Sequence, residues 1–300
     1  MKIGIDLGGS HIAIGVVNNK GLIQEKTEKR ILAKEKQNIK NTIEEYVIKN
    51  VKEFMKRYDI SKIGIAIPGT VNENTIIKSV NLNIENYNIV TALQKSIKIP
   101  ISIRNDAKCA AIAENKYGCL KKYDRSLFLT LGTGIGGAVI INNQLLNTGD
   151  FPGCEFGHMI IEKNGRQCKC GKKGCFERYA SMKILKDSIR SELGLDEKTR
   201  GQEIFDIIRN NNSENPNYER IEKTVNEFIE NLAIGISNLV NVFEPEAIGI
   251  GGSFVYFEEV LLNRLKTRIL EENLLFNERN TINIETAILG NESGIIGAVI

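Results

Sequence analysis

The sequence predicts an α/β protein built from two similar lobes with a cleft between them. Two observations lead to this prediction: strand and helix patterns are mixed in both halves of the chain, and one succession of strands and glycine turns occurs twice. The first copy covers residues 2–23 and the second covers residues 127–146. Each copy reads as strand, glycine-rich turn, strand, asparagine turn and strand. The repeat indicates an internal duplication, although coincidental hairpins give the same pattern.

The remaining elements follow from hydrophobic periodicity. A helix is predicted over residues 38–58, where Ile39, Ile43, Val47 and Val51 keep three-or-four spacing and form one apolar face. Short apolar runs next to turn residues predict strands at 63–67, 101–103 and 247–250. Further helices are predicted at 107–117, 182–193, 202–209, 225–243 and 290–300. A chain of 300 residues is long enough for two domains, at roughly 100–200 residues each. We assign 1–116 and 288–300 to an N-terminal lobe and 117–287 to a C-terminal lobe.

Composition excludes several classes of protein. Forty basic and 37 acidic residues give a net charge of +3, which provides no strong field for nucleic acid or for an anionic membrane. Six cysteines in 300 residues are too few for a disulfide framework. No run reaches the about 18 apolar residues of a membrane-spanning helix, and no secretory signal opens the chain. We therefore expect a cytoplasmic protein without nucleic-acid or membrane partners.

Three glycine-rich turns are candidates for phosphate binding, because glycine lets backbone N–H groups approach a phosphate closely. Each turn alone is weak evidence, since tight hairpins use glycine for steric reasons. The first two turns precede strands rather than helices, which excludes a Rossmann or Walker motif. Together the three turns favour a nucleotide site between the lobes. They contain Gly8, Gly9 and Ser10; Gly132, Thr133 and Gly134; and Gly251 and Gly252.

Two sites carry carboxylates at the end of apolar strands. Asp6 precedes the first glycine turn, where it would hold Mg2+ against phosphates or, alternatively, cap the turn through local N–H groups. Asn105 and Asp106 lie where a strand becomes a helix. An asparagine or aspartate at such a position is a good helix N-cap. A carboxylate that faces a cleft can also accept a proton from a substrate hydroxyl. Spacing alone does not separate these two roles, and on the residues alone we favour the cap.

A cluster of cysteines and one histidine gives the strongest local signal. His158, Cys168, Cys170 and Cys175 supply three thiolates and an imidazole, which complete a tetrahedral Zn2+ site with no open position. We therefore predict structural zinc; scattered reduced thiols are the alternative. Glu155 and Glu177 flank this segment and would be held in place by the metal, in an arrangement suited to vicinal sugar hydroxyls. A solvated surface pair is the other interpretation.

Together these segments resemble the ROK family (repressors, open reading frames, kinases) of the actin-like ATPase superfamily, whose lobes are ribonuclease H-like. The resemblance covers nearly the whole chain. The matching segments are DLGGS at 6–10, PGTV at 68–71, NDA at 105–107, LGTGIGG at 131–137, CEFGH at 154–158, CKCGKKGC with FE at 168–177, and IGGS at 250–253.

The resemblance implies a role for each matching residue. Asp106 would be the general base, and the residues implied to contact the sugar are Gly69, Asn105, Asp106, Glu155, His158 and Glu177. The residues implied to surround the ATP phosphates are Gly8, Gly9, Gly132, Thr133 and Gly134, with Gly251 and Gly252 at the adenosine. Relatives often carry a lysine where this chain has His11, so one phosphate-neutralising charge is missing. A homodimer is the family expectation.

The resemblance predicts an ATP-dependent kinase that phosphorylates a hexose, with glucose at its 6-hydroxyl as first choice. N-acetylmannosamine, fructose and allose kinases share nearly the same residues and remain alternatives. A second class is a sugar-responsive repressor; because the first predicted strand begins at residue 2, we expect no DNA-binding module and favour the kinase. A third class, a sugar-binding module without catalysis, rests only on His11.

Overall fold

The computed structural model describes residues 1–146, 153–271 and 282–300. The chain divides into two compact units. Unit 1 comprises Met1–Lys122, Asn143–Cys154 and Ile288–Ile300, and unit 2 comprises Tyr123–Asn142 and Glu155–Ala287. The sequence assigned 117–122 and 143–154 to the C-terminal lobe, whereas the structure groups both with unit 1. The first segment belongs there because the carboxylate of Glu114 accepts the backbone N–H of Cys119 at 2.9 Å. The second begins at Asn143, whose side chain accepts a hydrogen bond from Asn115.

The strands in the described residues are, in chain order, β1 (Lys2–Leu7), β2 (His11–Val17), β3 (Ile23–Arg30), β4 (Lys62–Ile67), β5 (Thr70–Asn72), β6 (Thr75–Ser79), β7 (Ile84–Tyr87), β8 (Ile101–Asn105), β9 (Arg125–Leu131), β10 (Ile135–Ile141), β11 (Gln144–Leu145), β12 (Ala247–Gly252) and β13 (Asn283–Thr286). The α-helices are α1 (Ile39–Met55), α2 (Ile89–Gln94), α3 (Asp106–Tyr117), α4 (Glu177–Ala180), α5 (Met182–Leu193), α6 (Gly201–Arg209), α7 (Tyr218–Phe243), α8 (Glu258–Leu270) and α9 (Ser293–Ala298). Short 3-10 helices cover Ala33–Asn38, Phe156–His158, Ser253–Phe257 and Gly290–Glu292.

Two sheets of the described residues share one topology. The first has the strand order β3-β2-β1-β4-β8 and the second has the order β11-β10-β9-β12-β13. In both, the opening strand pairs antiparallel with the next one and parallel with a later one: β1 with β2 and β4, and β9 with β10 and β12. The repeated meander that the sequence predicts is therefore confirmed as a repeated sheet, and the α/β fold class is confirmed with it.

The elements predicted from the clearest hydrophobic periodicity are present in the structure, because their apolar residues form the core of unit 1. Ile3, Ile5 and Leu7 of β1 are almost completely buried, and α1 covers the sheet with its buried apolar face of Ile39, Ile43, Val47, Val51 and Phe54. The helix ends at Met55, before the predicted residue 58. Helix α5 has the predicted bounds, with the side chain of Ser181 as its N-cap.

Other elements differ from the sequence prediction for physical reasons. Helix α7 begins at Tyr218 rather than at 225, because its first turns carry mostly charged, exposed residues that give little apolar periodicity. The sheet of β5, β6 and β7 and the helices α2 and α8 were not predicted. Gly136 and Gly137 of the glycine-rich segment 131–137 lie within β10, where the ring of Phe156 occupies the space that a side chain on Gly137 would need. None of the helices in the described ranges is long and apolar enough to span a membrane.

Candidate functional site

The carboxyl ends of three parallel strands bring the predicted residues of unit 1 to one edge of its sheet. Strand β1 lies beside β4, with Asp6 opposite Ala66, and β4 lies beside β8, with Ile67 opposite Asn105. Gly69 follows the end of β4, and Asp106 follows the end of β8. In open α/β sheets, this edge is where ligands bind.

Asn105, and not Asp106, caps the helix that follows β8. The side-chain oxygen of Asn105 accepts the backbone N–H of Lys108 at 3.2 Å, and its side-chain nitrogen donates to the carbonyl oxygen of Gly69 at 3.0 Å. Asp106 is the first residue of α3, and its carboxylate accepts the N–H of Ala107 at 2.8 Å. The cap interpretation is thus correct for Asn105 and wrong for Asp106, whose carboxylate does not serve as the N-cap.

The pKa values of both carboxylates at this edge are raised. Burial, with a further contribution from the negative charge of Asp106, raises the pKa of Asp6 to about 7. Burial also raises the pKa of Asp106, against hydrogen bonds from the backbone and from Asn105 that lower it. Two adjacent carboxylates with raised pKa values are typical of sites that transfer protons or bind cations.

The first glycine turn joins β1 to β2. The N–H of Gly8 donates to the carbonyl oxygen of His11 at 2.9 Å, and the His11 ring lies against Gly8, 2.8 Å from the position a Cβ would take there. The hydroxyl of Ser10 lies 3.4 Å from Nδ1 of His11. The backbone oxygen of Asn81 lies 3.1 Å from the position that a Cβ on Gly9 would take.

Gly69 has a backbone conformation that requires glycine. Its φ is +108°, and a Cβ at this position would clash with the carbonyl oxygen of Lys78 on β6. The turn after β4 is thereby packed against the small sheet of β5, β6 and β7. This packing fixes the carbonyl oxygen that Asn105 binds.

The two glycine turns of unit 2 lie at one edge of the second sheet. Gly132, Thr133 and Gly134 connect β9 to β10, and the N–H of Gly132 donates to the carbonyl oxygen of Gly134 at 3.0 Å. Gly251 and Gly252 end β12 beside Thr130 and Leu131 of β9. The space that a Cβ on Gly132 would enter is open, with no atom of the described residues within 4 Å. At Gly132 this edge therefore leaves open backbone surface on which a ligand can lie.

The sequence did not predict that α5 supports the first of these turns. The N–H of Lys183 in the first turn of α5 donates to the carbonyl oxygen of Gly132 at 3.0 Å. The signal available in the sequence was Ser181, a good N-cap residue immediately before a predicted helix. That pattern gives the start of a helix and does not tell what the helix start contacts.

The four predicted metal ligands meet in unit 2. One ligand atom from each of His158, Cys168, Cys170 and Cys175 lies within 4.8 Å of all the others. Nδ1 of His158 lies 3.7 Å from Sγ of Cys168, and the Sγ atoms of Cys170 and Cys175 are 3.5 Å apart. A backbone N–H from Lys172 lowers the pKa of the Cys170 thiol. Three sulfurs and one imidazole nitrogen at this spacing fit a tetrahedral zinc ion.

The two predicted glutamates differ in their surroundings. Glu177 begins α4, and its Oε1 accepts a hydrogen bond from the Cys168 thiol at 3.3 Å and lies 3.9 Å from Nδ1 of His158. Glu155 is exposed and directly precedes the 3-10 helix that carries His158, whose N–H donates to the Glu155 carbonyl oxygen at 3.0 Å. Both glutamates are therefore attached to the segment that holds the cluster.

Curated proteins with similar sequences include kinases and repressors. The chain is 29% identical to a glucokinase from Thermotoga maritima over 90% of this chain and 87% of that protein. It is 33% identical to a β-glucoside kinase from Listeria innocua, over 100% of this chain and 96% of the kinase. It is 30% identical to a xylose repressor from Bacillus spizizenii, over 89% of this chain and 68% of the repressor.

Solved structures with the same fold superpose on this chain over almost the full length of both proteins. A ROK family glucokinase from Streptomyces griseus in complex with glucose and AMPPNP superposes with a TM-score of 0.79 at 26% identity, over 99% of this chain and 97% of that one. A protein from Listeria monocytogenes described as a putative N-acetylmannosamine kinase superposes with a TM-score of 0.81 at 30% identity, over 100% and 97%. The profile of the ROK family matches residues 2–300. The chain therefore belongs to the ROK family, and its fold is that of the actin-like ATPases.

Proposed function

We propose that this protein is a kinase that transfers the γ-phosphoryl group of ATP to the 6-hydroxyl of a hexose, with glucose as the substrate, in the cytoplasm. The observation that carries the proposal is Asp106 at the carboxyl end of β8, with the role of helix N-cap taken by Asn105 instead. The similarity to glucokinases and to other sugar kinases supports it.

In the proposed reaction, Asp106 is the general base. Its carboxylate accepts the proton of the sugar hydroxyl as that oxygen forms a bond to the γ-phosphorus and the bond from phosphorus to the ADP oxygen breaks. The raised pKa of Asp106 strengthens it as a proton acceptor. Asn105 holds the start of α3 and the Gly69 turn together, so the base and the sugar-contacting backbone keep one geometry.

The remaining predicted residues divide between phosphate, adenosine and sugar. The backbone N–H groups of the turns at Gly8–Gly9 and Gly132–Gly134 would bind phosphoryl oxygens and stabilise the charge that develops on them. Gly251 and Gly252 would adjoin the adenosine. Asp6 would hold the Mg2+ that accompanies ATP, and a cation would offset the repulsion between Asp6 and Asp106. The residues proposed to bind the sugar are Gly69, Asn105, Glu155, His158 and Glu177.

Zinc has a structural role in this proposal. His158, Cys168, Cys170 and Cys175 would hold the ion in a closed site, where it cross-links the loop and supplies no reacting group. These four residues would thereby fix His158 and Glu177 for their contacts with sugar hydroxyls.

The identity of the sugar and the role of Asp106 are tested together. We expect ADP release, followed with a coupled assay, to be fastest with glucose in a panel that also contains N-acetylmannosamine, fructose, allose and a β-glucoside. Asp106→Asn is expected to lower kcat by about 10^3-fold, because it removes the proton acceptor while keeping the shape of the side chain. Asp59→Asn changes an exposed aspartate of the same unit and serves as the matched control. Near-normal turnover by the Asp106 variant would contradict the assignment.

A sugar-responsive regulator is the second candidate, because a xylose repressor matches 89% of the chain. A regulator would bind its sugar without releasing ADP, and it would shift a DNA fragment in a salt-dependent way. Calorimetric titration with xylose and with glucose, beside the ADP assay, separates the two functions. Sugar binding without phosphorylation of any sugar in the panel would favour the regulator.

A further inference from the structure

The Glu177 carboxylate lies between the zinc cluster and the glycine turn at residues 132–134, which we call the phosphate turn. Its Oε1 contacts the cluster, at 3.3 Å from Sγ of Cys168 and 3.9 Å from Nδ1 of His158. Its Oε2 lies 2.6 Å from the position that a Cβ on Gly134 would take. One side chain therefore touches two features that the sequence treats as separate, and a side chain at position 134 would have to displace the Glu177 carboxylate.

The backbone on both sides of this contact is firmly held. Phe176, immediately before Glu177, is fully buried; its N–H donates to Met159 at 2.8 Å, and its ring occupies the space beside Gly235 of α7. The other end of the phosphate turn is held by the N–H of Lys183 on the Gly132 carbonyl oxygen. The Glu177 carboxylate lies against the Gly134 side of the turn, and its backbone follows the predicted metal ligand Cys175 by two residues.

We propose that Glu177 is a positioning residue that couples zinc binding at the cluster to nucleotide binding at the phosphate turn. The inference rests on the proposed function, because it takes the turn as the phosphate site. Bound zinc would take Cys168 as a thiolate and would hold Cys175, two residues before Glu177, so the carboxylate would stand beside Gly134 on a fixed backbone. Loss of zinc leaves Glu177 without that support, so the N–H groups of the turn are no longer pre-arranged for phosphate.

The test measures nucleotide affinity in the absence of sugar, so that any contact of Glu177 with sugar does not enter. Isothermal titration with Mg2+-AMPPNP is carried out on zinc-loaded and chelator-stripped protein. We expect removal of zinc to weaken binding about tenfold in the wild type, within the usual range for coupled sites. In Glu177→Ala, zinc removal is expected to change the affinity less than about twofold, because the link is gone. Glu177→Gln keeps the shape of the side chain and is expected to retain most of the coupling.

Glu162→Gln is the matched control, since Glu162 is an exposed glutamate of the same loop that lies outside the cluster. It should behave as the wild type. Equal sensitivity to zinc in the wild type and in Glu177→Ala would overturn the inference, and so would a wild-type affinity that does not depend on zinc. If the zinc-loaded wild type binds no AMPPNP, the proposed function fails instead.

A reciprocal measurement covers the case in which stripped protein unfolds. Linkage requires the nucleotide to stabilise bound zinc by the same factor by which zinc strengthens nucleotide binding. Competition between the protein and a chromogenic chelator gives the zinc affinity with and without Mg2+-AMPPNP. We expect the nucleotide to raise the zinc affinity in the wild type and to leave it unchanged in Glu177→Ala. The same increase in both proteins would overturn the inference.

Discussion

The two units carry the same sheet but different chemistry at the corresponding edge. Counted back from the glycine turn, Asp6 of β1 has its counterpart in Thr130 of β9, and both strands continue through a glycine turn into an antiparallel partner. At the next parallel strand, unit 1 has the constrained turn at Gly69, and unit 2 has Gly251 and Gly252. Unit 1 therefore gathers carboxylates at this edge, whereas the strand ends of unit 2 are neutral.

This difference shows that one sheet topology can carry different chemistry in the two units. Buried acids with raised pKa values suit proton transfer and cation binding, which we assign to unit 1. Neutral glycine turns beside a metal-binding loop suit phosphate and adenosine contacts, which we assign to unit 2. The shared sheet places the strand ends, and the residues that follow them determine the chemistry.

The largest expected effect concerns the proposed zinc site of unit 2. Cys175→Ser removes a buried ligand of the cluster, so we expect loss of bound zinc and destabilisation on the order of 5 kcal/mol, because the ion cross-links the loop. Metal analysis and scanning calorimetry measure both effects. Cys119→Ser alters a cysteine of unit 1 outside the cluster and should keep its zinc. Retention of one zinc per chain by the Cys175 variant would contradict the assignment of Cys175 as a ligand in unit 2.

The strained turn of unit 1 is expected to give the next largest effect. Gly69→Ala places a Cβ against the carbonyl oxygen of Lys78 at a φ of +108°, so we expect it to lower the free energy of unfolding by about 3–4 kcal/mol. Gly290→Ala is the control: this glycine of unit 1 also has a positive φ, +54°, but nothing in the described residues lies within 4 Å of its ideal Cβ. It should cost about 1 kcal/mol. Urea denaturation compares the two, and equal losses would mean that the contact with Lys78 contributes nothing.

A smaller effect is expected from the buried acid of β1. The pKa of Asp6 is raised from 3.8 to about 7 in the folded chain, so between these values the folded state binds a proton that the unfolded state has released. Its contribution to stability therefore falls as pH rises from about 4 through 7. Asp6→Asn removes this loss and is expected to stabilise the Mg2+-free protein by about 2 kcal/mol at pH 8, with little change at pH 4. Urea denaturation at both pH values measures the difference; a variant less stable than the wild type at pH 8 would show that the ionised carboxylate is compensated in the fold.

The same comparison indicates what the sequence could predict and what it could not. The repeated turns at Gly8 and Gly132, the apolar face of α1 and the cluster of three cysteines and one histidine were predicted because each is a short-range pattern. The small sheet that packs on Gly69 was not predicted, because its strands have only three to five residues. The division of roles between Asn105 and Asp106 depends on the one residue at which the helix begins, and periodicity does not locate that residue. The contact of Glu177 with Gly134 joins residues that are 43 positions apart in the sequence, so no local pattern contains it.

The smallest expected effect separates the two hydrogen bonds of Asn105. Asn105→Ala removes both the cap of α3 and the bond to the Gly69 carbonyl oxygen. Asn88→Ala removes only the cap of α2, where the side-chain oxygen accepts the N–H of Thr91 at 2.8 Å. Each cap is worth about 1 kcal/mol, so we expect the Asn105 variant to lose about 1 kcal/mol more than the Asn88 variant in urea denaturation. Equal losses would mean that the bond to Gly69 does not stabilise unit 1, and the edge of its sheet would then be held by the strands and by the packing of Gly69 against Lys78 alone.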